Sequence, residues 1–384
     1  MTVTSGFFRV SFLALAALIG ASVSAQSEQM QSPPIALTIA ASEQSTPAAR
    51  IVAADLARSG AFDVSERALI NEDLLIPSLQ NDGREYALLL TTGDDGSIEC
   101  RLRDLRVDKK IMHFRLARSS NPRVFAHQIA DSVHRKLTGK AGGFDTRLAL
   151  VVEQEGNYLL KVSDADGADP KTILNSVSRV DAPVWSHDSR LLAYVSWETL
   201  QAGVFVQDLN TGARQPVAST PGVEIVQPVF LAEHTLVWGE FSDGRTQVRM
   251  TVKGRLQQPA LLGEVAALPL TLIKKPGENL VWLVAKDGIW ALDPLNRDMA
   301  PTRVYAAAGT LGVAAACEQE RMLLLAEVDA NGAAMNAFAA DGHGLQTDSL
   351  TLPTRYQIAG RPSYHAACRS LLVPAREADR GVLL

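Results

Sequence analysis

Two spacings of hydrophobic residues divide the chain. In the stretch 97–105, SIECRLRDL, Ile98, Cys100 and Leu102 alternate with Glu99, Arg101 and Arg103. Period-two alternation predicts a half-buried strand. IALTIA (35–40), YALLLTTG (86–93) and KKIMHFRLA (109–117) read as companion strands, separated by turns or a short loop. In NPRVFAHQIADSVHRKLTG the period changes: Phe125, Ile129, Val133 and Leu137 recur every four residues, the stripe of an amphipathic helix. Asn121 is placed to cap it, Pro122 sits in the first turn, Arg135 and Lys136 suit the negative end of the helix dipole, and Gly139 ends it. His127 and His134 fall off the apolar stripe and are expected to be partly solvated rather than ligands. A shorter helix is predicted in TPAARIVAADLARSG, with Thr46 as its cap, Pro47 at the first helical position and Gly60 beyond its end.

From residue 145 the helical spacing stops and short strands repeat. One unit runs APVW, RLLAYVS, GVFVQDLNTG, RQPVA; later units begin at QPVF, LPLTLI, GVAAAC and RPSY. Trp185 and Phe230 are 45 residues apart, and Cys317 and Cys368 are 51 apart. Four short strands per unit of this size predict a β-propeller, because one such sheet cannot bury both faces and radial packing lets neighbours cover them. RLALVVEQ, YLLKVSDADG and KTIL supply three strands of a first blade, giving six blades. The inner strand of the first blade and the outer strand of the last are not visible, so either a segment elsewhere fills in or the ring is incomplete. The expected architecture is α+β with two domains: a small α/β domain over 26–139 and a six-bladed propeller over 140–384, its last blade incomplete unless a segment elsewhere fills in.

The first 25 residues read as a cleaved secretory leader: Arg9 precedes an apolar run that ends Val23-Ser24-Ala25. The run is shorter than the ~20 apolar residues that span a bilayer. An exported protein that matures near Gln26 is expected. Loss of Arg9 leaves 36 basic against 42 acidic residues, scattered without a basic block, which argues against nucleic acid as a partner and suits a monomer. Three cysteines, Cys100, Cys317 and Cys368, show no zinc spacing. Cys317 and Cys368 stand at matching points of the repeat, and the alternatives are a disulfide between them or two small buried side chains; Cys100 stays free in both.

IVAADLARSGAFDV (51–64), HQIADSVHRKLTGKAGGFDTRLALVV (127–152), LLKVSDADG (159–167) and APVWSHDSRLLAYVS (182–196) together resemble the TolB family of the periplasmic Tol–Pal system. The likeness covers the N-terminal region and about a third of the repeats; beyond residue 240 it is one of spacing only. The family's W-S-P-D-G turn survives once, as Trp185-Ser186-His187-Asp188-Ser189, with His for Pro and Ser for Gly. This chain therefore reads as a divergent member. The resemblance implies a periplasmic, non-enzymatic adaptor without cofactors, whose propeller mouth receives the lipoprotein Pal and which supports outer-membrane integrity and constriction at division. The corresponding mouth loop is STPGVEIVQPVF, with Gly222, Val223, Glu224 and Gln227 as candidate partner-facing residues; the histidine associated with this loop in relatives is missing. QSEQMQSPPIALTIA departs from the family's segment that contacts TolA, so the resemblance supports TolA as a partner less well than Pal.

Three other functions compete. A TolB-like propeller with a different envelope partner fits the decay of the repeat motif. A metal-dependent propeller lyase would use histidines such as His187, His234 and His365, which fall near equivalent turns. A propeller peptidase would need a hydrolase domain with G-x-S-x-G, and the sequence has none. His187, Asp188 and Ser189 are triad residue types, but consecutive residues in a tight turn diverge, whereas a triad needs its His between the other two. The expectation is a structural turn, with Ser189 where relatives use Gly for positive φ.

Overall fold

The structure is a computed structural model that describes residues 33–306, apart from 118–120, 141, 233–234, 253–254 and 276–277; beyond 306, and over 252–258, it describes only strand backbone. The N-terminal region is β1 (Ile35–Ala41), α1 (Thr46–Arg58), β2 (Phe62–Ala68), α2 (Glu72–Asn81), β3 (Tyr86–Thr92), β4 (Ile98–Asp104), β5 (Lys109–Leu116) and α3 (Pro122–Thr138). The strands form one sheet in the order β2-β1-β3-β4-β5, parallel at β1–β2 and β1–β3 and antiparallel beyond. Val52, Leu56, Ile129 and Val133 of α1 and α3 pack on one face with Leu37, Ile39, Leu88, Leu90, Cys100 and Leu102. Ile76 and Leu79 of α2 cover Ala40, Ala87 and Leu89 on the other face. The sheet's central strands, covered on both sides, are therefore apolar on both sides.

Helix ends follow the expected chemistry with one correction. The Asn121 side chain accepts from the Arg123 amide at 3.0 Å, and Gly139 closes α3 at φ +74°. Thr46 is the first helical residue, not the cap: Ser45 takes that place without a side-chain bond, and the Thr46 hydroxyl donates to the Ser42 carbonyl at 3.1 Å. Helix α2 is additional to the sequence expectation. It is short and carries Pro77, yet Asn71 caps it by accepting from the amides of Asp73 and Leu74.

The repeats form successive antiparallel sheets. β6 (Arg147–Gln154), β7 (Asn157–Asp164) and β8 (Lys171–Ser176) make a three-stranded sheet. Then come four-stranded sheets. The first is β9 (Val180–Trp185), β10 (Leu191–Ser196), β11 (Gly203–Asp208) and β12 (Arg214–Ser219). The next is β13 (Glu224–Ala232), β14 (Thr235–Ser242), β15 (Arg245–Val252) and β16 (Arg255–Val265). It is followed by β17 (Pro269–Lys274), β18 (Val281–Ala285), β19 (Gly288–Leu292) and β20 (Thr302–Ala306). The last is β21 (Thr310–Cys317), β22 (Met322–Asp329), β23 (Gly332–Ala339) and β24 (Asp348–Ser349). Nearer the C-terminus, β25 (Gln357–Ile358), β28 (Pro374–Glu377) and β29 (Arg380–Leu383) form one small sheet, and β26 (Ser363–Tyr364) and β27 (Leu371–Leu372) another. First strands pack on first strands, β9 on β13, β13 on β17 and β17 on β21, which is the radial arrangement of a propeller.

Backbone register exposes a regularity that side chains hide. Between β9 and β10, Val184 faces Ala193 and Asp181 faces Val195, so β9 carries one extra residue. The same one-residue bulge recurs on β13, β17 and β21. A second bulge recurs on the outermost strands β12, β16 and β20, and also on β8. The bulge on β8 identifies it as an outermost strand. β6, β7 and β8 are then second to fourth strands, and among the described residues that sheet has no first strand.

Candidate functional site

The turn that looked like a triad is satisfied internally. Ser186 Oγ donates to Asp188 Oδ1 at 2.6 Å and accepts from the Leu191 amide at 2.8 Å, while Asp188 Oδ1 also takes the Arg190 amide at 3.0 Å. These bonds hold the Asp188 carboxyl below the usual carboxylate range, the Ser186 hydroxyl contributing most. His187 is exposed and takes no part. Ser189 has φ +56°, a conformation that favours glycine. Its carbonyl accepts from Arg147 at 2.6 Å, and the Arg147 guanidinium stacks 4.9 Å from the Trp185 ring centre. The turn thus clips β6 to the next sheet; it is not a nucleophile site.

Because strands alternate in direction, connectors fall at two ends of the propeller. The turns β9–β10 and β11–β12 share one end, where the Leu209 amide donates to the Arg190 carbonyl at 3.0 Å. The connectors β8–β9 and β10–β11 share the other, joined by the Trp197 amide on the Arg179 carbonyl at 3.0 Å and by Arg179 over the Trp197 ring. At this second end stand two apolar side chains with little cover, Val177 at 83% exposure and Leu200 at 98%. Leu200 is also held at φ +65°, a costly conformation for a leucine. The β12–β13 connector lies at the same end. There Gly222 has φ +76°, Val223 packs into the core beneath, Glu224 is exposed, and Gln227 accepts from the Thr271 hydroxyl at 3.2 Å, tying β13 to β17. Of the four sequence candidates, Gly222 and Glu224 are exposed; Val223 is half-buried and Gln227 links strands. His234 and His365 lie outside the described residues, as do Cys368 and the Cys317 side chain, so the proposed pair does too.

A polar cluster that sequence reading missed joins α3 to the first repeat sheet. His127 and His134 are not partly solvated: they are 2% and 6% exposed. His134 sits between Phe62 and Phe144, its Nδ1 2.8 Å from the Lys140 carbonyl. His127 Nδ1 lies 2.7 Å from Asp55 Oδ2 of α1. Arg123, one turn earlier on α3, donates from Nε to Asp164 Oδ2 at 2.7 Å and pairs with Asp166. His127, Asp164 and Asp166 bring donor atoms within 4.8 Å of one another, a spacing a divalent cation would accept. The Arg123 guanidinium already supplies the positive charge there. The signal in the sequence was the four-residue step from Arg123 to His127, one face of one helix.

A cleft of about 380 Å³ beside β3, β4 and β5 is also self-satisfied. His113 lies 2.8 Å from Glu99, and Arg115 bonds Ser97 and Asp95. No described helix is long and apolar enough to cross a membrane.

Comparison with known proteins places these features. Residues 134–259 match the family described as the TolB beta propeller domain. The Tol-Pal system protein TolB of Xylella fastidiosa (strain Temecula1) is 36% identical over 188 residues, 45% of this chain and 43% of that protein. That of Nitrosococcus oceani is 36% identical over 213 residues, 50% of this chain and 48% of that protein. The chain thus spans about half the length of the curated relatives it matches. The crystal structure of TolB from Acinetobacter baumannii superposes with a TM-score of 0.77 at 23% identity, covering 91% of both chains. The resemblance to TolB holds, and the fold is that of a TolB-like β-propeller.

Proposed function

Starting from that likeness to TolB, we propose that the chain is a non-enzymatic adaptor of the periplasmic Tol–Pal system, matured near Gln26, with an α/β domain followed by a six-bladed ring. Its partner in this reading is Pal, received at the propeller end that carries Val177, Leu200 and Glu224, away from the α/β domain. The reading is carried by the TolB propeller match over 134–259, the stretch that builds the junction and the first sheets. The exposed leucine at positive φ adds support, since strain at an uncovered apolar residue persists where a surface is used. In this role the rigid sheets present a fixed rim and leave partner choice to connectors.

The test is calorimetric titration of the mature chain with the soluble periplasmic domain of Pal, beside Leu200→Asp and Val177→Asp. Binding weakened at least tenfold by either substitution is expected, since burying a lone carboxylate at an interface is costly. Absence of binding to Pal defeats the reading and favours a different envelope partner. Binding that both variants leave unchanged moves the docking surface elsewhere.

A further inference from the structure

His127 Nε2 stands between an acceptor and a donor at nearly equal distance: Asp164 Oδ2 at 3.6 Å and the Arg123 guanidinium at 3.5 Å. Its Nδ1 is committed to Asp55, which also pairs with Arg58. Both members of the His127–Asp55 pair are buried, while Asp164 and Asp166 belong to the end of β7 and the turn after it. The charges facing this imidazole are Asp55 and Arg58 from α1, Arg123 from its own helix, and Asp164 and Asp166 from the repeat sheet.

We infer that His127 is a proton-operated latch that tightens the docking of α3 on the β7–β8 turn in acid and loosens it in base. With the imidazolium present, three carboxylates face three cations and Nε2–H turns to Asp164. With the neutral ring, three carboxylates face Arg123 and Arg58 alone, Nε2 accepts from Arg123, and the bond to Asp55 remains. Only the protonated form therefore adds a link across the junction.

Burial pulls the His127 pKa down, but the hydrogen bond to Asp55 and the charges of Asp55, Asp166 and Asp164 outweigh it, and the net displacement is upward from the ordinary histidine value. A group whose docked pKa is raised stabilises the docked state below its undocked pKa and loses that contribution as pH rises through the docked value. The segment 142–146 after α3 is itself tied down, with the amides of Phe144 and Asp145 on the two Asp131 oxygens at 3.1 and 3.0 Å. The motion is therefore local to the α3–turn contact. The latch does not depend on any partner.

The experiment follows the His127 ring by NMR through a pH titration of the whole mature chain. Hydrogen exchange at the amides of 164–168, corrected for intrinsic rates, is read over the same pH range. A midpoint above ~6.5 is expected, falling in Asp164→Asn and in Asp166→Asn. Protection of the turn should drop as pH rises, by a factor of ten for each pH unit separating docked and undocked midpoints, and His127→Gln should make it flat. A midpoint that neither Asn variant moves overturns the latch, as does pH-dependent protection that persists in His127→Gln. If His127→Gln does not fold, the titration of the natural chain against the two Asn variants decides alone.

Discussion

Ser189 stands in the left-handed region at φ +56°, where a Cβ costs about 1–2 kcal/mol. Replacing it with Gly removes that cost but returns conformational freedom to the unfolded chain, worth about 0.4–1 kcal/mol. The bonds of the turn survive the change, because they are made by Ser186, Asp188 and backbone: the Ser189 amide on the Ser186 carbonyl at 2.9 Å and the Ser189 carbonyl beneath Arg147. The net expectation for Ser189→Gly is a stabilisation of roughly 0.5–1 kcal/mol. For a unit of 150–250 residues that raises the melting midpoint by about 1–4 °C. Scanning calorimetry of the mature chain reads it, with Ser189→Ala as the control that keeps the Cβ and drops the hydroxyl. A glycine variant no more stable than the natural chain, or an alanine variant equally stabilised, refutes the argument that backbone strain is what Gly relieves.

Other sites give sharper chemical signatures. Cys100 is buried and its thiol is pushed up to about 12, mainly by burial, so alkylation at pH 8 followed by peptide mapping should leave it unmodified until denaturant is added. The Asp95 carboxyl is held down at about 2 by the Ser97 hydroxyl and amide, with Arg115 beside it. Its carbon resonance should titrate near that value and move up in Ser97→Ala; being a depressed acid, it favours the folded state above its unfolded pKa and loses that contribution as pH falls toward 2. Trp238 is fully buried and donates to Glu240, itself buried and bonded to Arg249 at 2.7 Å. Trp238→Ala should cost about 3–5 kcal/mol in urea unfolding, and a loss below ~1 kcal/mol would contradict that packing.

What the sequence disclosed depended on how local the physics was. Asn121 and Gly139 mark α3 because a cap and a left-handed stop are single-residue chemistry. The alternation of Ile98, Cys100 and Leu102 predicted their burial because strand faces have period two. Helix α2 was hidden by Pro77 and by its short apolar face, and it depends on the underside of a sheet whose existence is not local. The burial of His127 and His134 was hidden for the same reason. Off the main stripe of α3, they are covered by α1 and Phe62, far away in sequence, and by Phe144, which the chain after the helix folds back onto His134. The loop proposed to face a partner is placed between β12 and β13, but Gln227 beside it bonds across to Thr271, a contact only the radial packing creates.

The paired bulges have a consequence for how such a chain can change length. Each first strand from β9 to β21 already accommodates at least one surplus residue against its neighbour, and each outermost strand from β8 to β20 does likewise. A single-residue deletion there would convert the kink into continuous pairing without displacing the second and third strands. Elsewhere in the sheets the same deletion would turn every following side chain to the wrong face. The first and outermost strands are thus shock absorbers for insertions and deletions, while the middle of each sheet tolerates none. Drift in this chain can accumulate at the two margins of every blade while the strands between them stay in frame.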